Sequence, residues 1–411
     1  VFLISNVISS QEIINDTLPT TRQDLDEVIV KGIRAKFSSP ISYSNIYKEK
    51  LKNKNLGQDL PILLNFLPSV VTTSDAGAGI GYTGIRVRGV SPQSTNITIN
   101  GIPFNDPESM GTFWVNLPDF TSSVQSLQLQ RGIGTSTNGS GAFGASINIL
   151  TDNISQTPYT EISSSFGSFN TRKNTIKFST GKINDVFEFS GRFSKIDSDG
   201  YVDRAFSDLK SYFIQGTYLK GSTLIKAISF AGHEKTYQSW YGLTMDQLKE
   251  NRRQNPYTYE NEIDNYKQDH YQLHWNEKIN NFWSFNLGLN YTYGRGYFEQ
   301  YREDDNIDTY GGIVSSDTNL NGEKTDTTDL IRRRWLDNDF YVFNSSLNFV
   351  KNKIDLTISS SYSSYVGDHF GEVIWARTFS SNGKIRDRYY EGLGEKKYLS
   401  LFTKLIYSID E

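Results

Sequence analysis

The chain has 411 residues, of which 14% are aromatic and 21% charged, and its formal net charge is −4. Without a basic surplus it lacks the electrostatic footprint of a nucleic-acid-binding protein, and we expect no nucleic-acid partner. The sequence contains no cysteine, which excludes disulfides, zinc-thiolate sites and thiol catalysis. No run approaches the ~18–20 apolar residues of a membrane-spanning helix. Membrane-spanning strands stay possible, because they alternate apolar and polar residues, and an all-β soluble protein is the alternative.

The first 30 residues divide into a leader and a short β-like segment. Val1–Ser10 is typical of the end of a secretory signal's apolar region, although a frayed N-terminus is the alternative. The polar residues up to position 24 lack periodicity and predict a flexible leader. In Leu25–Val30 an acidic pair leads into a β-branched run. Such a segment can add itself as a strand to a partner's sheet, or it is an ordinary edge strand.

A short helix and a strand are predicted next. Asp59 is placed to cap a helix that Pro68 ends. Ser69–Thr73 then predicts a strand. The apolar stripe of the helix, at positions i, i+3, i+4 and i+7, consists of Leu60, Leu63, Leu64 and Leu67.

The stretch from Gly84 to Gly101 predicts a two-faced β unit. Alternation from residue 85 to 90 places Arg86 and Arg88 on one face of a strand and leaves the other face apolar. Asn100-Gly101 predicts a tight hairpin, because both residues tolerate positive φ. The two guanidinium groups must then find carboxylates or water.

Several motifs between Leu25 and Thr151 resemble the plug domain of TonB-dependent outer-membrane receptors. They are the arginine strand, the turn at Ile99–Pro103, Gln130-Arg131-Gly132 and the glycine-rich Gly139–Asn148. The resemblance implies a plug over residues 31–152. It also implies that TonB binds a TonB box over residues 25–30, and the contacting residues would be Asp26, Glu27, Val28, Ile29 and Val30.

The resemblance also implies two kinds of plug contact. Arg86, Arg88 and Arg131 would pair with carboxylates of the barrel wall, and pairing only within the plug is the alternative. Two apical loops, Asp75–Tyr82 and Phe104–Trp114, would touch the ligand from below. Their aromatic and hydrogen-bonding groups suit a polar chelate or sugar, or merely fill the gap to the wall. The candidate contacts are Tyr82, Asn105, Glu108, Phe113 and Trp114.

From Tyr159 onward the sequence predicts antiparallel membrane strands. Residues 283–293 alternate apolar and polar over the length that a tilted strand needs. Short turns alternate with long polar connections, as in outer-membrane barrels, where the long loops face outside. The turns are predicted at 182–184, 220–222, 278–281 and 351–353, and the long connections at 196–210, 233–269, 295–338 and 366–397.

The predicted fold is mainly β, with a small α/β plug domain followed by an antiparallel transmembrane β-barrel over residues 153–411. About ten strands are expected, whereas plugged transporters have about 22 strands. This chain is therefore expected to carry an incomplete barrel. Because a half-barrel would leave two open edges in lipid, we expect the chain to be a fragment of a longer one.

The resemblance implies TonB-dependent import of a scarce solute across the bacterial outer membrane, with a ferric siderophore as the leading substrate. Oligosaccharide, cobalamin or haem import is the alternative within the family, and a passive porin or adhesin is the alternative class. The expected partners are TonB, outer-membrane lipid, lipopolysaccharide and a small-molecule ligand. A ferric chelate is the candidate for that ligand. We expect no enzymatic activity, no cofactor and no metal site. His270 and His274 share a strand face and predict hydrogen bonding in a polar lumen.

Overall fold

The computed structural model describes residues 34–35, 39–133, 141–318 and 321–409. The part up to residue 152 folds into small sheets and short helices and is called the plug below. The part from Tyr159 to Tyr407 forms one ten-stranded sheet, called the wall. The predicted TonB box, residues 25–30, lies outside the described residues.

The plug is a five-stranded sheet with a separate two-stranded hairpin. The order of the larger sheet is β1-β6-β7-β4-β5, and its one parallel pair is β4 with β7. The strands are β1 (Ser42–Tyr47), β2 (Val70–Ser74), β3 (Thr83–Val87), β4 (Thr95–Ile99), β5 (Ile102–Pro103), β6 (Val124–Arg131) and β7 (Ala145–Thr151), and the helices are α1 (Lys48–Lys52) and α2 (Leu60–Leu63).

Two local predictions in the plug meet different outcomes. Asn100 and Gly101 have φ angles of 52° and 81° and join β4 to β5 as a tight hairpin, as predicted. The arginine strand instead ends at Val87, because Arg88 and Gly89 turn the chain with φ angles of 54° and 77°. Arg86 and Arg88 therefore do not share one face of a strand.

The helix prediction is correct in position but too long. Helix α2 covers one turn, and Leu64 and Leu67 are buried just beyond it. Asp59 occupies the N-cap position without capping the helix through its side chain. Its carboxylate accepts a hydrogen bond from Thr83 Oγ1 at 2.9 Å instead, which ties the helix to β3. Tertiary contacts have thus replaced the local cap.

The wall confirms the predicted antiparallel barrel sheet. Each strand pairs with the next one along the chain, and the predicted alternation at residues 283–293 lies in one strand. The ten strands are β8 (Tyr159–Gly167), β9 (Thr171–Ser179), β10 (Phe187–Ser198), β11 (Ser207–Lys220), β12 (Thr223–Tyr237), β13 (Ile263–Lys278), β14 (Trp283–Asn306), β15 (Thr327–Lys351), β16 (Ile354–Ala376) and β17 (Arg388–Tyr407).

The connections alternate in length as predicted, but the strands run further than expected. The predicted loop at residues 295–338, for example, is mostly strand, since β14 continues to Asn306 and β15 begins at Thr327. Apolar-polar alternation is needed only where one strand face meets lipid. Beyond that band the alternation fades while the backbone pairing continues. The loop between β12 and β13 carries a short helix, α3 (Met245–Glu250).

No helix within the described ranges combines the length and the apolarity needed to cross a membrane.

An apolar cluster joins the plug to the inner face of the wall. Phe120, from the plug, lies 5.3 Å from Phe230 of β12 and 6.2 Å from Phe213 of β11, measured between ring centroids. The ring of His270 on β13 stacks on Phe230 at 4.4 Å. The core of the plug therefore continues into the wall on the side of β11–β13.

Candidate functional site

A cavity of about 530 Å³ lies between the apical loops of the plug and the wall. Plug residues form its floor, and strands β12 to β17 contribute its sides near the long connections. Its surface combines aromatic rings with carboxyl, amide and imidazole groups, as is usual for small-molecule sites. The aromatic lining includes Tyr82, Phe104, Phe113, Trp240, Tyr266 and Phe298.

Tyr82 lies in the floor of the cavity, and its predicted ligand contact stays a prediction. Its hydroxyl donates a hydrogen bond to the carboxylate of Asp264 on β13. Its ring meets Trp240 edge to face, with 5.5 Å between centroids. Burial, together with the neighbouring carboxylates, raises the pKa of the Tyr82 hydroxyl well above its usual value, so that it stays protonated and donates.

Asn105 also lines the cavity, but its polar atoms hold the loop together. Its side-chain oxygen accepts from the backbone N–H of Ile97 at 2.7 Å. Its amide group donates to the carbonyl oxygens of Thr95 and Met110 at 2.9 and 3.0 Å. Asn105 therefore shapes the apical loop, and its predicted ligand contact stays a prediction.

Glu108 ties the tip of the same loop to the wall. Its carboxylate accepts a hydrogen bond from the Tyr365 hydroxyl at 2.9 Å, and it lies 2.8 Å from His369 Nε2. Nearby, Lys396 donates to the carbonyl oxygen of Pro107 at 2.7 Å. These contacts connect the plug apex to β16 and β17.

Phe113 and Trp114 are neighbours in sequence with opposite surroundings. The side chain of Phe113 is 44% exposed and lines the cavity. Trp114 is 3% exposed and packs in the apolar core of the plug. The structure therefore does not bring Trp114 into the cavity, because a short 3₁₀ helix, Trp114–Asn116, turns its ring inward.

Among the residues that the structure describes, the three plug arginines do not form the ion pairs expected with the wall. Arg131 donates to the carbonyl oxygen of Pro68 at 3.0 Å and to the Ser44 hydroxyl at 2.9 Å, both inside the plug. Arg86 and Arg88 are exposed, and neither is in a salt bridge with a described residue. Burial and the nearby Arg88 lower the pKa of Arg131. For Arg131 the alternative of pairing within the plug is the one seen.

Plug and wall are instead joined by ion pairs in which the plug supplies the carboxylate and the wall supplies the cations. Asp119 of the plug is the centre of these pairs. Its carboxylate lies 2.6 Å from Lys173 Nζ on β9 and 3.3 Å from Arg192 on β10. The hydroxyls of Thr175 and Ser194 also donate to it, at 2.8 and 2.6 Å. Burial alone would raise the pKa of this carboxyl, but Arg192 and Lys173 hold it below its usual range.

Asp152 repeats this arrangement at the end of the plug. It accepts hydrogen bonds from Lys48 in the plug at 2.7 Å and from Lys177 on β9. Burial would raise the pKa of Asp152, yet the two lysines lower it. Sequence reasoning missed both aspartates, because an isolated Asp carries no local signal of its distant partners. Asp119 adopts a left-handed conformation with φ of 52°, which is typical of Asp but occurs in many turns.

The plug also approaches the wall closely beside this cluster. Gly232 on β12 faces the plug segment that precedes Asp119. A Cβ atom at Gly232 would lie 2.8 Å from Pro118 Cδ and closer still to the carbonyl oxygen of Asn116. Glycine is therefore required at this contact, because a larger residue would displace the plug backbone.

Both the plug and the overall fold match known proteins. Residues 35–146 match the family described as TonB-dependent Receptor Plug Domain. The solved structure of the unliganded ferric citrate transporter FecA superposes with a TM-score of 0.64 at 14% identity, covering 90% of this chain and 55% of that chain. The FpvAI-pyocin S2 complex superposes with a TM-score of 0.65 at 10% identity, covering 90% and 51%. The chain thus has the fold of a plugged outer-membrane β-barrel.

Sequence relatives point to the same family. The probable TonB-dependent siderophore receptor PirA of Acinetobacter baumannii is 24% identical over 204 residues, 47% of this chain and 25% of that protein. The ferric enterobactin receptor PirA of Pseudomonas aeruginosa is 26% identical over 192 residues, 42% of this chain and 26% of that protein. The match spans about a quarter of these two relatives. Residues 35–146 therefore carry the plug domain of TonB-dependent receptors, and both relatives are named as siderophore receptors of that kind.

Proposed function

We propose that the protein imports a ferric siderophore across the outer membrane in a TonB-dependent manner. The cavity between the plug apex and the wall supports this most directly. It has the size of a small-molecule site, about 530 Å³, and the plug forms its floor. A ligand there rests on Tyr82 and the apical loop of Asn105, so binding and plug position are coupled through contact.

The substrate class is supported by the named relatives, which include a probable siderophore receptor and a ferric enterobactin receptor. Oligosaccharide, cobalamin and haem are the competing substrates. Neither histidine of the described lining favours haem over a chelate. His270 has both ring nitrogens engaged, with Thr292 at 2.8 Å and Gln268 at 3.2 Å, and His369 Nε2 lies 2.8 Å from Glu108.

The first experiment compares the abundance of the protein in outer-membrane fractions of its native host, grown with ample iron and with iron chelated. We expect a large rise on starvation, together with uptake of radioactive iron from a ferric siderophore that is lost when the gene is deleted. An unchanged abundance and no iron uptake would contradict ferric siderophore import and make glycans and cobalamin the leading substrate candidates.

TonB is the proposed energising partner, through Asp26–Val30. Replacing Val28 by proline removes a backbone N–H that strand addition requires. We expect V28P to abolish uptake while ligand binding to purified protein is kept. The matched variant V28T keeps both the N–H and the β-branched shape, and it should retain uptake. Normal uptake by V28P would show that TonB does not bind this segment as a strand.

Outer-membrane lipid and lipopolysaccharide are the proposed surroundings of the wall. Exposed apolar side chains such as Phe189, Leu273 and Phe343 suit lipid chains. At the outer ends of the strands, Arg388 lies 3.8 Å over the ring of Phe370, where it can reach a lipid phosphate. Lipopolysaccharide phosphate that copurifies with the protein should fall in R388A and stay unchanged in the plug variant R86A. Equal amounts in both would contradict this contact.

A further inference from the structure

Two buried carboxyl groups in the cavity have no cationic partner among the described residues. Glu234 of β12 is 2% exposed and Asp264 of β13 is 8% exposed. Glu234 accepts a hydrogen bond from Thr236 Oγ1 at 3.2 Å, and Asp264 accepts from Tyr82. Neither lies within salt-bridge distance of a described lysine or arginine. Buried carboxylates normally pair with a cation, because burial of an unpaired charge is costly.

Several other buried carboxylates follow that rule. Asp119 and Asp152 meet Lys173 and Lys177, and Glu299 lies 2.8 Å from Arg333 Nε. Asp59, Glu188 and Glu262 are also buried without a salt bridge to a described residue, but they lie outside the cavity lining. Among the buried carboxyl groups that line the cavity, Glu234 and Asp264 both lack a cation from the described residues.

The rest of the cavity lining contributes more acidic than basic groups. Two further carboxyl groups, Asp75 and Asp106, come from the plug loops. The one arginine in the lining, Arg334, is engaged with Tyr390, whose hydroxyl lies 3.1 Å from its Nε. His369 in the lining is paired with Glu108. Four carboxyl groups therefore face one arginine and two histidines, His270 and His369, in this lining.

Aromatic rings surround the two unpaired carboxyl groups. Trp240 lies edge to face with both Tyr82 and Phe298, at 5.5 and 5.6 Å. Carboxylates next to aromatic faces are a favourable environment for an organic cation, which gains both charge pairing and cation–π attraction. A protonated amine also offers three N–H donors, enough for both carboxylates at once.

We propose that the imported ligand carries a positively charged group, an amine or guanidinium, that binds between Tyr82, Glu234 and Asp264. This inference rests on the proposed import function and narrows its substrate class to cationic chelates. A ferric complex of three catecholates carries three negative charges, so it offers no cation to these carboxyl groups. A ferric trihydroxamate is neutral at the metal, and one protonated amine on its chain makes it a monocation.

The test uses the purified protein and three ferric chelates. The first is a linear trihydroxamate with a free amine, the second is its N-acetylated, neutral form, and the third is a tris-catecholate. Binding is followed by quenching of tryptophan fluorescence, since Trp240 and Trp335 line the cavity. We expect the amine form to bind about tenfold more tightly than the acetylated form, as one charged hydrogen-bonding group is worth roughly that factor.

Variants then assign the preference to the two carboxyl groups. In the double variant E234Q/D264N the amine form should bind only as well as the acetylated form, whose own affinity should not change. The matched control is D337N, which removes a carboxylate paired with Arg295 on the wall outside the cavity, and it should keep the preference. Equal binding of both forms by the unmodified protein, or tighter binding of the tris-catecholate, would overturn the proposal.

A second readout separates failure of this inference from failure of the import function. Cs⁺ and I⁻ quench tryptophan according to the local charge, whether or not a chelate binds. Measured relative to the quenching of free tryptophan by the same ion, Cs⁺ should quench the component that is lost in W240F more strongly than I⁻ does. If no chelate binds but Cs⁺ is preferred, ferric chelate import is wrong and the cationic preference stands. If I⁻ is equal or better, the cationic preference is wrong.

Discussion

The two ends of the interface between plug and wall treat charge in opposite ways. Around Asp119 each buried carboxylate oxygen has a cation or hydroxyl from β9 or β10, and the surrounding contact is apolar and close. Around Tyr82 the carboxyl groups of Glu234 and Asp264 are buried beside an open cavity, with no cation from the described residues. The contrast indicates that the β9–β12 side holds the plug, while the apical side is the proposed ligand site.

The largest effect is expected from Asp119. Replacing it by alanine leaves Lys173 and Arg192 buried without a counter-charge, which should destabilise the seated plug by about 3–5 kcal/mol. Thermal unfolding of the purified protein and the entry of large antibiotics into cells should both report this. The control D197A removes an exposed partner of Lys195, 45% exposed, and exposed pairs are worth about 0–1 kcal/mol. Equal behaviour of the two variants would remove the holding role of Asp119.

A pH change should distinguish Asp119 from Glu262, a buried carboxyl group in the loop before β13. Burial raises the pKa of Glu262, in the loop before β13, to about 7, against opposing contacts with the Tyr301 N–H and Arg302. Its folded pKa is above the unfolded value, so the stability that it contributes is present at low pH and is lost as pH rises through about 7. Asp119 has a lowered pKa, so its contribution is present above its unfolded value and is lost only as pH falls below that value.

Hydrogen exchange should show this difference. Amides of the loop that contains Tyr257 and Glu262 should exchange more slowly at pH 5.5 than at pH 8, after correction for intrinsic rates. Amides next to Asp119 should show no such gain. The variant E262Q should abolish the pH response of the loop, and a response that persists in E262Q would assign it to another group.

A smaller effect is expected at the apical tether. Tyr365 donates one hydrogen bond to Glu108, and Y365F removes it while keeping the ring. The cost should be about 1 kcal/mol, visible as a faster exchange of the Glu108 loop without loss of the plug. An effect as large as that of D119A would show that the tip of the loop also holds the plug.

The smallest effect is expected at Arg88. Its side chain is exposed, so charge reversal in R88E should change stability by no more than about 0.5 kcal/mol and leave antibiotic entry as it is. A marked rise in antibiotic entry in R88E would instead support the sequence-based prediction that Arg88 pairs with a carboxylate of the wall.

These residues show what the sequence can predict. Local rules were sufficient for the hairpin at Asn100-Gly101 and for the alternation along β14, because each depends on neighbouring residues. They failed for Arg88, where a positive φ ends the strand, and for Trp114, which a short 3₁₀ helix turns inward. Asp119 and Asp264 gave no signal at all, since their partners lie far along the chain. The sequence therefore indicates the elements and the family, while the pairing of charges requires the fold.

The close contact at Gly232 sets how the plug can move. Side chains at every second residue of β12 point to the same face, so Phe230 and Glu234 flank Gly232 toward the lumen, roughly 7 Å to either side. A rigid plug that slid along the barrel axis would push the backbone at Asn116 and Pro118 into one of these side chains. The contact at Gly232 thus fixes the depth of the plug on this side. Under the proposed import function, we expect a path for cargo beside β12 to need a change in the shape of the plug or its departure, and not a rigid sliding movement.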